Sequence, residues 1–177
     1  MVLFYTELVK LVADGIITNV TPAQINGASI DLTLGRIIMV ESPGVELLVD
    51  LSAKPRQYPR MKTLAIDDGY VMQPKEFLLA STEQKFFLPN DMCAHYFLNS
   101  SLARAGLDAA LAMWCDPRWH DAELTLELTN STRYHDLLLR PGMKCGQVVF
   151  HRGTPVPEEQ SYAARGSYNG VEGPSVR

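Results

Sequence analysis

From residue 29 the chain alternates. Ile30, Leu32 and Leu34 fall on one face, Asp31 and Thr33 on the other, and Asn26-Gly27 just ahead is a turn signal. Period two predicts a half-buried strand. Comparable short runs predict strands at 47–51, 62–66, 77–82, 93–98, 107–113, 123–129 and 147–151. Turn clusters separate them: Asp67-Asp68-Gly69, Leu88-Pro89-Asn90-Asp91, Asp116-Pro117 and Arg140-Pro141-Gly142. Two stretches break the pattern. Leu3, Leu8, Leu11 and Val12 follow a 3.6 period, which predicts a short N-terminal helix stopped near Gly15. Residues 100–106 open on two serines and suit a single helical turn capped by Asn99 or Ser100. Many short strands with regular punctuation predict a mainly β sandwich or barrel.

Length places these elements in one domain: of the 177 residues, 1–152 form the β domain and 153–177 a tail. The tail is rich in Gly and Pro but carries Tyr162 and Tyr168, which suit a segment that docks as a lid. Apolar residues make up 46% and charged residues 20%, which excludes disordered, collagen-like and coiled-coil chains. A net charge of −4 argues against a nucleic-acid polymer as partner. No run approaches the roughly 18 apolar residues of a membrane span, so no membrane partner is expected. Glu7 and the lack of a basic start argue against a secretory signal. Cys93, Cys115 and Cys145 lie far apart and read as reduced thiols of a cytoplasmic protein. Neither they nor the four histidines have zinc-ligand spacing, so no metal site is expected.

Two segments carry candidate chemistry. In Glu123-Leu-Thr-Leu-Glu127-Leu-Thr-Asn130 the leucines share one face and Glu123, Thr125, Glu127 and Thr129 the other. That polar face is either solvated or the wall of a cleft, where partial burial would raise a carboxylate's pKa toward acid/base use. In Asn99-Ser100-Ser101-Leu-Ala-Arg104 the hydroxyls and an arginine one turn later suit either a capped surface turn or a phosphate cradle.

Together the motifs resemble the dCTP deaminase family of the dUTPase superfamily. Ser100-Ser101-Leu102-Ala103-Arg104-x-Gly106 resembles its serine-arginine motif. Asp116-Pro117-x-Trp119 resembles its Asp-Pro-Gly-aromatic turn, and Thr125-Leu126-Glu127-Leu128-x-Asn130 its catalytic strand. Asn26 to Leu32, Arg140-Pro141-Gly142-Met143, Gly146-Gln147 and Tyr168-x-x-x-x-Gly173-Pro174 follow in family order. The resemblance implies a compact, distorted β-barrel of β-clip or jelly-roll type with a C-terminal lid. It implies zinc-independent deamination of a deoxycytidine nucleotide, dCTP to dUTP and ammonia, with Mg²⁺ on the phosphates. It implies a homotrimer with sites between subunits. Residue by residue, Glu127 would be the general acid/base, and Ser100 and Arg104 would complete the catalytic set. Ser101, Asn99, Ala112, Asp116, Thr125, Tyr162 and Tyr168 would bind substrate.

The chain departs from the family pattern at several places. Asn99 stands where the family has Arg, Ser167 where the lid has Lys, and Val171 where the lid has Gln. Arg118 and Asp121 occupy glycine positions, and one extra residue lies between Asp116 and Glu127. Lost cations leave the substrate's phosphate number open. They also keep two alternatives in view: a dUTPase-like or bifunctional enzyme giving dUMP, and a non-catalytic binding module.

Overall fold

The computed structural model describes residues 1–44, 48–109 and 112–176. Helix α1 (Tyr5–Ala13) opens the chain. It buries Leu8 and Leu11 against the core, and the Glu7 carboxylate accepts the free Phe4 N–H at 3.2 Å. It stops where Gly15 turns left-handed at φ 74°. The strands that follow are β1 (Ile30–Glu41), β2 (Met61–Ala65), β3 (Tyr70–Met72), β4 (Phe77–Phe87) and β5 (Met92–Leu98). After helix α2 (Ser100–Arg104) come β6 (Leu107–Ala109), β7 (Trp114–Cys115), β8 (His120–Asn130), β9 (Leu137–Leu139) and β10 (Lys144–Arg152). Helix α3 (Tyr162–Arg165) lies in the tail.

The main sheet is antiparallel in the order β6-β8-β4-β1-β10-β5-β7, with β2 also on β1; β3 and β9 pair separately. Strand β1 turns the sheet. Its first residues pair with β10, its register shifts after Leu32, and from Ile37 it runs between β2 and β4. A register break lets one strand bend from one set of neighbours to another and curl the sheet around a core. Within that core Phe86 lies 5.2 Å from the Trp119 ring and 6.4 Å from Phe150. Burying each such ring contributes roughly 1.5–3 kcal/mol. Fully buried Asn130 ends β8; its amide donates to the carbonyls of Met72 and His135 at 2.9 and 3.0 Å and its oxygen accepts the Thr132 N–H.

The mainly β expectation, the N-terminal helix and the turn near 100–106 are all present. Asn99 provides the cap of α2, its side chain accepting the Ser101 N–H at 2.9 Å. Other expectations fail in detail. No strand forms at 48–51, and residue 47 of that stretch lies outside the described residues. The run 107–113 is a strand only over Leu107–Ala109; positions 110 and 111 lie outside the described residues. Strands β3, β7 and β9 span two or three residues, too few to show a period.

The tail returns to the sheet. Tyr162 donates its N–H to Pro117 O at 2.9 Å, and Gly170 donates to His120 O at 3.3 Å. Glu123 N–H donates to Val171 O at 3.0 Å, and the Glu123 carboxylate accepts the Gly173 N–H at 2.9 Å. Lys85 reaches Glu172 at 2.7 Å and Asp121 at 2.9 Å, clamping tail to sheet.

Candidate active site

The alternation read at 123–130 is borne by β8. Leu124, Leu126 and Leu128 face the core, while Glu123, Thr125 and Glu127 are half-buried on the other side. Glu127 sits opposite Leu79 of β4, with Thr125 opposite Ser81. This polar face is a wall rather than a solvated surface: it lines a cleft of about 360 Å³ together with the tail. Burial pushes the Glu127 carboxyl above its ordinary value, because a low-dielectric wall penalises the charged form. A wider hollow of about 660 Å³ opens beside Arg36 and Glu172, but Glu127 does not line it.

An extra residue in a strand would turn every later side chain to the opposite face. Strand β8 carries one unpaired residue near its start. Phe86 pairs with Ala122 and Phe87 with His120, so Asp121 is left without a partner on β4, a β-bulge at φ 54°. A second irregularity follows between Ser81 and Lys85 of β4, and beyond it Glu127 pairs with Leu79. Arg118 likewise holds φ 69°. Both positions keep the left-handed backbone that glycine adopts freely, and a non-glycine residue there costs about 1–2 kcal/mol. Arg118→Gly is therefore expected to stabilise the fold by about 1 kcal/mol in denaturant unfolding, since the exposed contact to Glu158 at 3.5 Å contributes little.

Of the residues singled out in the sequence, Ala112, Asp116, Thr125, Glu127, Tyr162 and Tyr168 all line this cleft. Asp116 is oriented by Trp114, whose indole N–H donates to its carboxylate at 2.9 Å. The Tyr162 hydroxyl accepts the Tyr168 N–H at 3.3 Å, so the two tail tyrosines are fixed to each other. Desolvation raises the pKa of both phenols. Asn99, Ser100, Ser101 and Arg104 are not brought to the cleft of the same chain. Ser100, Ser101 and Arg104 are exposed on α2, and the Asn99 side chain is engaged as a cap.

Arg56 and Tyr58, which belong to none of the sequence motifs, also line the cleft. Glu123, on the same polar face, was given no role; its carboxylate accepts from Ser81 Oγ at 2.9 Å as well as from the tail. No local signal marks the first two; their place depends on the docked tail. Cys115 and Cys145 are buried free thiols, and burial pushes Cys145 up to about 12. Among the described residues no three His, Cys, Asp or Glu side chains gather as a metal site, and no helix is long and apolar enough to cross a membrane.

A sequence model of the family described as dCTP deaminase-like matches residues 2–153. A protein of Persephonella marina named "dCTP deaminase, dUMP-forming" is 35% identical over 85% of this chain and 80% of its own length. A Sulfurihydrogenibium protein of the same name is 29% identical over 98% of this chain and 94% of its own. The crystal structure of 2'-deoxycytidine 5'-triphosphate deaminase from Agrobacterium tumefaciens superposes with a TM-score of 0.66 at 20% identity. That match covers 86% of this chain and 49% of the other, so this chain spans about half of that structure's length. It establishes a fold shared with that deaminase, mainly β as the sequence pattern predicts.

Proposed function

Because the chain belongs to the dCTP deaminase-like family, we propose that it deaminates a deoxycytidine nucleotide hydrolytically, with dCTP as substrate and no zinc. The observation that carries this reading is Glu127, a mid-strand carboxylate half-buried in a cleft and shifted upward by desolvation. Such a group is a stronger base once ionised and a competent acid once protonated. Its carboxylate takes a proton from water as the water oxygen adds to C4 of cytosine, and hands that proton to N3. The proton of the added hydroxyl then passes through Glu127 to the amino group. The C4–N bond breaks, ammonia leaves, C4 keeps its oxygen as a carbonyl, and Glu127 ends ionised as it began.

Around this centre, the Ala112 backbone and Thr125 hold the base, Asp116 meets the deoxyribose, and Tyr162 and Tyr168 close the lid. A positioned acid/base supplies about 10²–10⁴ in rate, whereas enzymes reach about 10⁶ or more. Orientation and fixed dipoles must supply the rest. Ser100, Ser101 and Arg104 provide them from a second copy of the chain, in a homotrimer with sites between subunits. Phe97 and Trp114, 42% and 55% exposed, offer apolar surface for such contact. Mg²⁺ enters as part of the substrate, borne by the triphosphate. An ion so carried keeps several waters and needs few protein ligands.

The names of the curated relatives favour a second step. In it water attacks the α-phosphorus, the bond to the bridging oxygen breaks, and dUMP and pyrophosphate result. The test is to incubate the protein with Mg²⁺ and dCTP, dCMP or dUTP, assaying ammonia and separating nucleotides. Ammonia from dCTP is expected, and dUMP with pyrophosphate marks the second step. dUMP from dUTP without ammonia from any cytidine nucleotide would replace deamination by diphosphohydrolysis. No turnover of any of the three would leave a binding module.

A further inference from the structure

We propose that Arg56 is the cleft's own phosphate-binding residue, taking up charge that this chain lacks at positions 99 and 167. The inference rests on the nucleotide reading above. A triphosphate must enter a cleft lined by the carboxylates of Asp116, Glu123 and Glu127, and Arg56 is the one basic side chain among its described lining residues. The two other positions do not supply a cation. Asn99 spends its side-chain oxygen capping α2, and position 167 is a serine. Arg56 is exposed and has no ion-pair partner among the described residues, so its guanidinium is available to an oxyanion. Its planar fork suits bidentate contact to phosphate oxygens.

The segment that carries Arg56 is built rather than slack. Asp50 accepts the Ser52 N–H at 2.8 Å and the Ser52 hydroxyl at 2.6 Å, and the Asp50 N–H donates to the Gln57 side chain at 3.0 Å. These bonds close the segment just before Tyr58. Tyr58 then shares a hydrogen bond with Tyr168 of the tail, and Arg56 lies close enough to Tyr168 to be felt by its phenol. Tyr58 is thus a positioning residue: it ties the cation to the lid, so that lid closure and phosphate contact occur together.

The experiment is a binding titration read by tryptophan fluorescence, since Trp114 and Trp119 line the same cleft. The probes are Mg²⁺ with dCTP, deoxycytidine and inorganic triphosphate. Arg56→Gln is expected to weaken dCTP and inorganic triphosphate about 10- to 100-fold and to leave deoxycytidine unchanged, the scale of one charge-assisted contact. Arg56→Lys should restore part of the loss. Tyr58→Phe should raise the KM for dCTP with kcat nearly unchanged, and add nothing in the Arg56→Gln background. Equal binding of both phosphate probes by wild type and Arg56→Gln would overturn the proposal, as would equal weakening of deoxycytidine. Because binding is read without turnover, a chain that holds triphosphate through Arg56 yet releases no ammonia sinks the deaminase reading alone.

Discussion

Glu127→Gln should abolish ammonia release, lowering kcat by at least about 10²–10⁴, while making the folded protein more stable at neutral pH. The two effects have one cause. Burial raises the carboxyl's pKa in the folded state above its unfolded value. The native state then holds a proton more tightly than the unfolded chain, so folding pays no penalty below the unfolded pKa and a growing one as pH rises through the folded pKa. The neutral amide escapes that penalty. Unfolding curves of wild type and Glu127→Gln should therefore converge in acid and separate, variant above wild type, as pH rises past the ordinary glutamate range. The same shift sets the acid limb of the rate. Glu127 must be ionised to take the water's proton, so kcat/KM should fall on acidification at a pH above that range. A variant that retains ammonia release, or curves that stay parallel through acid, would remove Glu127 from its role.

Glu127 was legible because its strand is amphipathic and exposes one polar face, which period two reports directly. Its place in a cleft was not, since the opposite wall is made by a tail more than a strand's reach away in sequence. The same holds for Arg56 and Tyr58: the loop that carries them is fixed by Asp50 and by Tyr168, and only the first partner is local. Strand ends were under-read where a strand changes neighbours. The second half of β1 lies between β2 and β4 and does not alternate, so its pattern fades after Gly35. Arg118 and Asp121 were visible as residue types, but that Asp121 is a bulge required the pairing of β4 with β8.

The division of the site between two surfaces of one chain leads to the second large effect. Glu127 lines the cleft, whereas Ser100 and Arg104 stand exposed on α2 and do not reach it. If each site takes Glu127 from one copy and Arg104 from the next, Glu127→Gln and Arg104→Ala are each inactive as pure proteins. Their mixture is not. A site is intact when its Glu127 comes from an Arg104→Ala chain and its Arg104 from a Glu127→Gln chain. Random equal mixing in a closed ring makes that true of about one quarter of the sites. Co-expressed or co-refolded variants should therefore recover about a quarter of wild-type turnover per chain, while the same proteins mixed without subunit exchange stay silent. Recovery is specific to a shared site. Were both residues to act within one chain, no mixture could assemble an intact pair, and activity would stay at the level of the single variants whatever the ratio. Varying that ratio adds a second constraint. Recovery should peak at equal amounts and fall symmetrically on either side, because each intact site consumes one good residue from each variant.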